Sequence, residues 1–327
     1  MFRSFIGLLI GGFFAGESVL ADEVAVPLGL AAVEDPVSNA TSGAKVKLGE
    51  ALFFEKGLSA DGTISCATCH DPKAAFAQKG EKVSKGVGGT LGRRNSPSLF
   101  NVAFAKDLFL DGRSESLEDQ AWQPILAEDE MANGSVEEVL VRLNGMEKYG
   151  PLFEAAFGKV EADKISVAMA LAAFQRTLLS GDSAFDKWYW GGESDALSEL
   201  EQKGYQLFAG RAQCWSCHPL NGDVILMSDR EFHNTGIAER SGGKDLGRYE
   251  VTKKAADRFA FKTPSLRNIV LTPPYMHDGS METLEEVVAF YNRGGADDHV
   301  QRLELSEGEL KAIVAFLGAL TGDGVTR

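Results

Sequence analysis

Apolar residues fall into helical phase along much of this chain, and several of those segments open on a capping signal. Ser306-Glu307-Gly308-Glu309 precedes Leu310, Ile313, Val314 and Leu317, which share one helical face. A Ser followed three residues later by Glu satisfies backbone N–H groups that a helix start leaves unpaired. Thr283-Leu284-Glu285-Glu286 opens another such segment, with Leu284, Val287, Val288 and Tyr291 on one face, so Tyr291 is predicted to point inward. Ser135-Val136-Glu137-Glu138 marks a third start. The run from Ile165 to Leu179 is shorter than the roughly 20 residues a membrane span needs, and it carries Gln175 and Arg176, so it predicts a buried helix. Sustained strand-type alternation is hard to find, and helix is expected to dominate.

Glycine and turn residues cluster at Gly80 to Arg94, Gly191-Gly192, Arg240 to Gly247 and Gly294-Gly295. With 327 residues, 44% hydrophobic and 36 of them glycine, the chain suits two modest domains better than one large core. The boundary is placed near Trp190 to Ser194, giving halves at 22–190 and 191–327. The halves form a weak internal repeat: Leu52-Phe53 with Gly57 in one, Leu207-Phe208 with Gly210 in the other. At the N-terminus, Arg3, the apolar run Phe5 to Phe14 and the small-residue site Val19-Leu20-Ala21 read as a signal peptide over 1–21, with the mature chain starting near Asp22.

Each of these repeated segments is followed by a pentapeptide: Cys66-Ala67-Thr68-Cys69-His70 and Cys214-Trp215-Ser216-Cys217-His218, which together use all four cysteines. This spacing attaches a c-type haem: two thiols three positions apart reach the vinyl groups, and the next imidazole binds the iron. Structural zinc needs no histidine at that place, and a thioredoxin-like motif would require strand and helix alternation that is not seen. Two covalent c-type haems are therefore expected, bound by Cys66, Cys69, Cys214 and Cys217, with His70 and His218 as proximal iron ligands. Haem attachment of this kind takes place outside the cytoplasmic membrane in bacteria, so a periplasmic location follows.

The remaining histidines are His233, His277 and His299, and none lies between His70 and His218. The first half thus offers no second imidazole to its own haem. Its distal side is left to Met131, Met146 or Met169, to a residue of the other half, or to no protein ligand; a thioether would suit electron transfer, an open iron peroxide binding.

Over nearly all of its mature length the chain resembles the bacterial dihaem cytochrome c peroxidase and MauG family. The resemblance is carried by Arg94-Asn95-Ser96-Pro97-Ser98-Leu99, Phe109-Leu110-Asp111-Gly112-Arg113, Leu117 to Gln120, Glu130-Met131, Phe232-His233-Asn234, Thr263-Pro264-Ser265-Leu266-Arg267-Asn268 and Pro274-Tyr275-Met276-His277-Asp278-Gly279. It implies a mostly α-helical fold of two cytochrome c-like domains, an N-terminal haem that reacts with hydrogen peroxide, and a C-terminal haem that relays electrons. Ordinary peroxidases of the family carry a capping histidine in the glycine-rich loop after the first motif. Here that loop reads Ser84-Lys85-Gly86-Val87-Gly88-Gly89, so the first haem resembles the open site of the MauG-like branch.

By the same resemblance Gln120 and Glu130 line the distal pocket of the first haem, Glu130 as the acid-base group and Pro124 as a shaping residue. Tyr291 lies fourteen positions after His277, where ordinary peroxidases place a methionine ligand of the second iron and MauG-like members a tyrosine. A phenolate is a hard donor that favours oxidised iron; Met276 and Met281 are rival ligands. His277 is expected to bond a haem propionate or position its loop, His233 to order structure nearby, and His299, amid Asp297 and Asp298, to sit at the surface. The resemblance also implies a calcium ion between the domains, held by Asn95, Thr272 and Pro274. The tryptophan that many members place between the haems is Leu110 here, which puts fast charge sharing in doubt unless Trp122 or another aromatic substitutes.

A net charge of −14 and a pI near 4.9 argue against nucleic acid and for a basic partner, or simply for solubility. The leading expectation is a periplasmic peroxidase that reduces hydrogen peroxide with electrons from a donor protein such as a small cytochrome c or a copper protein. The alternative is a MauG-like enzyme that modifies tryptophan or tyrosine on a protein substrate; a third is a plain dihaem electron carrier.

Overall fold

Side-chain caps set where the helices start. The computed structural model describes residues 26–78, 80–220, 225–296 and 299–322; the signal-peptide residues and the Asp297-Asp298 pair lie outside this range. The first half contains α1 (Gly43–Phe53), α2 (Cys66–Cys69), α3 (Leu117–Gln120), α4 (Trp122–Leu126), α5 (Val136–Asn144), α6 (Gly150–Phe157) and α7 (Lys164–Arg176). Next, α8 (Ala184–Tyr189) lies before the boundary expected near Trp190 to Ser194 but packs with the second half through Phe185. The second half contains α9 (Glu199–Ala209), α10 (Ile237–Arg240), α11 (Tyr249–Thr252), α12 (Leu284–Asn292) and α13 (Glu307–Gly318). The one sheet among the described residues is a two-residue antiparallel pair, β1 (Phe232–His233) with β2 (Phe261–Lys262). The fold is mostly α, and no described helix is long and apolar enough to cross a membrane.

The predicted caps form, with one adjustment. Ser306 and Glu309 make the reciprocal capping box at α13. At α5 and α12 the Ser135 and Thr283 hydroxyls accept from the amides of Glu138 and Glu286. The Glu138 and Glu286 carboxylates, however, reach one residue further back, to the amides of Gly134 at 3.2 Å and Glu282 at 2.7 Å. Helix α7 is buried as expected, except that Ile165 is 65% exposed and burial begins at Ser166. Gln175 and Arg176 are buried with it; Gln175 bonds the Leu171 carbonyl and Arg176 pairs with Glu118 at 2.7 Å.

Two large apolar clusters, with a small third of Leu108, Leu117 and Ala172, organise the described residues. One joins α1, α4, α5, α6 and α7 through residues from Leu48 to Leu178; the other joins α8, α9, α12 and α13 through residues from Phe185 to Leu320. Leu48, Leu52, Val139 and Val167 have no solvent-accessible surface, and each such side chain stabilises the fold by about 1.5–3 kcal/mol. The two clusters share a packing device. A Cβ on Gly49 of α1 would strike the Ala170 carbonyl and Phe174 on α7, and a Cβ on Gly204 of α9 would strike the Ala312 carbonyl and Phe316 on α13. Glycine is what lets each helix pair approach so closely. The repeat in three dimensions is therefore Gly49-x-x-Leu52-Phe53 against Gly204-x-x-Leu207-Phe208.

Ion pairs tie the halves together. Arg94 bridges Asp111 (2.6 Å) and Asp245 (2.7 Å), and Arg93 pairs with Glu250 (2.7 Å). Burial alone would raise the Asp245 carboxyl, but the Arg94 hydrogen bond and charge hold it below its ordinary value. A buried bidentate pair, Arg267 with Asp186 at 2.8 and 2.9 Å, locks α8 onto the loop before α12.

Candidate active site

Both pentapeptides fold so that histidine follows the second cysteine in the same way. The His70 amide donates to the Cys66 carbonyl and the His218 amide to the Cys214 carbonyl, each at 2.9 Å. Each imidazole is then oriented through Nδ1: His70 towards the carbonyls of Phe76 (3.0 Å) and Pro97 (3.1 Å), His218 towards that of Met227 (2.7 Å). A carbonyl accepts, so Nδ1 carries the proton and Nε2 keeps its lone pair. Burial lowers the basicity of both rings, which favours the neutral ligating form. None of the four cysteines is in a disulfide; burial pushes Cys66 and Cys214 up to about 12 and raises Cys69 and Cys217 as well. Each half thus brings together two cysteine sulfurs and one imidazole whose Nε2 faces away from its Nδ1 carbonyl partner, the donor set a c-type haem requires.

A cavity of about 1010 Å³ runs between the halves. Its wall includes His70, Gln120, Pro124 and Glu130 from the first half and Phe208, Cys214, Cys217, His218, Met276, His277 and Tyr291 from the second. Its size is at the upper end of ligand pockets, and its lining is largely apolar with a few placed polar groups. The histidine that lines it from the first half is His70, and no first-half methionine does so. Met131 is buried in the first apolar cluster, with Met146 packed against it, and Met169 is likewise off the cavity wall.

Glu130 sits under the glycine-rich loop. The Val87 amide donates to the Glu130 carbonyl at 2.8 Å, and a Cβ on Gly86 would collide with the Asp129 and Glu130 backbone. The loop closes on itself by Gly86 N–H to Thr90 at 2.7 Å and Gly92 N–H to Ser84 at 2.9 Å. Burial raises the Glu130 carboxyl, with neighbouring Asp129 adding to the effect and Arg113 opposing it. Arg113 itself pairs with Asp111 at 2.9 Å and lies over the Phe109 ring at 3.4 Å.

In the second half Tyr291 projects from α12 into the cavity, and its hydroxyl has no hydrogen-bond partner among the described residues. Burial, then the Cys217 and Cys214 thiols facing it, raise the phenol to about 12. Of the rival methionines, Met281 is packed in the second apolar cluster and off the cavity wall, whereas Met276 is on it. His277 stacks on Phe261 with centroids 3.7 Å apart, and its carbonyl accepts from the Asn95 amide at 2.8 Å. His233 bonds Asp229 at 2.7 Å, and His299 is exposed. Asn95, Thr272 and Pro274 all line the cavity. The Asn95 amide nitrogen donates to the carbonyls of Lys82 and Glu81, so its Oδ1 and the carbonyls of Thr272 and Pro274 remain without hydrogen-bond donors among the described residues.

The chain matches the family model described as di-haem cytochrome c peroxidase over residues 43–194. It is 40% identical to the methylamine utilization protein MauG of Methylorubrum extorquens across 89% of this chain and 82% of that one. The chain belongs to the di-haem cytochrome c peroxidase family. A cytochrome-c peroxidase of Denitromonas iodatirespirans is 37% identical, covering 94% of this chain and 89% of its own. Among solved structures, a MauG-like protein associated with microbial copper homeostasis superposes with a TM-score of 0.83 at 32% identity, covering 93% and 97% of the two chains.

Two site features were not read from the sequence. Lys262 on β2 lines the cavity and points its ammonium at the Asp107 carbonyl (2.9 Å); burial lowers it to about 8. Phe261 beside it forms the stack with His277. A lone Phe-Lys dipeptide carries no signal, although Arg94, Asp111 and Arg113 stood within recognisable motifs. Trp122 does not replace the aromatic missing at Leu110: its indole is buried in the first apolar cluster, donating to the Lys164 carbonyl at 2.9 Å, and it does not line the cavity.

Proposed function

We propose that this protein is a periplasmic dihaem peroxidase that reduces hydrogen peroxide to water with electrons from an external donor protein. One observation carries the reading: the cavity wall that holds His70 also presents Glu130 and Gln120, with no other first-half histidine and no first-half methionine on it. Bound through Cys66, Cys69 and His70 in one half and Cys214, Cys217, His218 and Tyr291 in the other, the haems would supply the two-electron redox chemistry. The chain's own residues do the rest. Glu130, less acidic than an exposed carboxylate, takes the proton of the near peroxide oxygen and returns one to the departing oxygen. Gln120 orients peroxide by hydrogen bonding, and Arg113 holds the Glu130 carboxyl within reach of ionisation. His277 and Lys262 present polar groups between the halves, suited to haem propionates. Asn95, Thr272 and Pro274 offer three oxygens without donors among the described residues, suited to calcium.

The second reading, oxidation of tryptophan or tyrosine on a partner protein, is favoured by Tyr291, whose phenol stands where a thioether would mark an ordinary electron-transfer haem. Electron paramagnetic resonance of the ferric protein tests the common core of both readings. One high-spin and one low-spin haem are expected, with peroxide reacting before any reduction. Two low-spin haems, or reactivity appearing only after partial reduction, would refute the open first site. Turnover with reduced cytochrome c or a copper protein then separates the peroxidase from the protein-modifying enzyme.

A further inference from the structure

An aromatic cluster outside the cavity has no part in the chemistry above. It gathers Trp188, Tyr189 and Trp190 at the end of α8 with Tyr205 on α9, two of the four tryptophans and two of the six tyrosines. Tyr189 and Trp190 are 43% and 39% exposed, with ring centroids 4.5 Å apart. The Tyr189 and Tyr205 ring centroids are 6.0 Å apart. From Tyr205 the contacts continue inward through Phe316 at 5.6 Å, Phe208 at 5.2 Å and His218 at 6.4 Å. The series joins open solvent to the proximal ligand of the second haem without a break in ring contact.

We propose that Tyr205, Tyr189 and Trp190 form a surface oxidation site, through which electrons enter the second haem centre and on which oxidising equivalents settle when no donor is bound. The proposal rests on the peroxidase reading, because peroxide supplies the oxidising equivalents. One electron leaves Tyr205 and tunnels through the packed Phe316 and Phe208 to reduce the oxidised second centre by one. Phenylalanine is too hard to oxidise to hold the hole itself, so these two rings act only as packing between oxidisable ends. The phenol proton of Tyr205, a residue that is only partly buried, is released to solvent. The neutral radical left behind exchanges with Tyr189 and Trp190 until an external one-electron reductant refills it.

The test treats the holoprotein with one equivalent of hydrogen peroxide without donor, following haem absorbance, the radical signal by electron paramagnetic resonance, and residue oxidation by peptide mass spectrometry. Expected are a tyrosyl or tryptophanyl radical and oxidation products at Tyr189 and Trp190. In Tyr205→Phe, which keeps the ring packing, both should be lost while the haem absorbance change with peroxide is retained and the oxidised protein decays more slowly. Oxidation of Tyr189 and Trp190 that persists in Tyr205→Phe means direct attack from solvent and overturns the relay. So does a haem absorbance change with no radical or modification at the cluster. Absence of any haem response to peroxide would instead refute the peroxidase reading, and the relay with it.

Discussion

At the scale of single residues, the chemistry depends on how burial tunes a few groups. Burial and Asp129 raise the Glu130 carboxyl, against the pull of Arg113. A base must be ionised to accept the peroxide proton, so the peroxide reaction should fall away on the acid side at a pH above the ordinary carboxylate range of about 4.3. Glu130→Gln should slow that reaction by roughly 10²- to 10⁴-fold and abolish the acid limb, with haem content unchanged; stopped-flow rates across pH decide it, and a near-native rate would make Glu130 a bystander. Tyr291 is the second case. A thioether stabilises ferrous iron and a phenolate ferric, so Tyr291→Met should raise the potential of the second haem in a redox titration. An unchanged potential and ferric spectrum would leave Tyr291 as wall packing and point to Met276, the rival methionine on the cavity wall. The two Cys-x-x-Cys-His motifs stand out in the sequence because covalent haem attachment demands a fixed local spacing. Glu130 was reached only through the family resemblance, since by itself it is one of 47 acidic residues and its environment comes from distant segments, Arg113 and the 84–92 loop. Lys262 was missed for the same reason: its burial is created by strand β2 meeting the 106–111 segment of the other half.

At the scale of elements, helix starts were legible and helix contacts were not. Capping is local, and the Ser135, Thr283 and Ser306 hydroxyls cap where the pattern placed them; only the carboxylate partner moved, by one residue, at Glu138 and Glu286. The internal repeat was visible through Leu-Phe, but the residues that matter most to it, Gly49 and Gly204, became meaningful only once α7 and α13 lay against them. Glycine at mid-helix costs about 1 kcal/mol relative to alanine, a cost retained because the facing carbonyls of Ala170 and Ala312 leave no room for a side chain. Gly204→Val should therefore destabilise the protein by about 1–3 kcal/mol, since backbone rather than a flexible side chain stands in the way. Denaturant midpoints of the haem-loaded protein measure this, and a value within 0.5 kcal/mol of wild type, roughly the scale of a neutral surface change, would show that the two helices can part without loss.

At the scale of the whole molecule, two halves with separate apolar clusters are pinned across one cavity by charge. Arg94 is central to that join: it spans Asp111 and Asp245, and its guanidinium lies 5.3 Å from the Phe261 ring that stacks on His277. Such a join was hidden in the sequence, because nothing local relates Arg94 to a carboxylate 151 residues away. Over the chain the charge balance is strongly negative, −14. A donor protein that must come and go with each electron gains from long-range attraction more than from tight contact, since steering raises the encounter rate without slowing release. A basic donor should therefore associate faster than a neutral one, and its on-rate should drop as ionic strength rises and the screening length falls from about 30 Å at 0.01 M to about 8 Å at 0.15 M. The dissociation rate should change much less. Transient kinetics of donor oxidation over that salt range provide the measurement, and an on-rate indifferent to salt would show that the negative charge serves solubility alone and that the donor finds its site by shape.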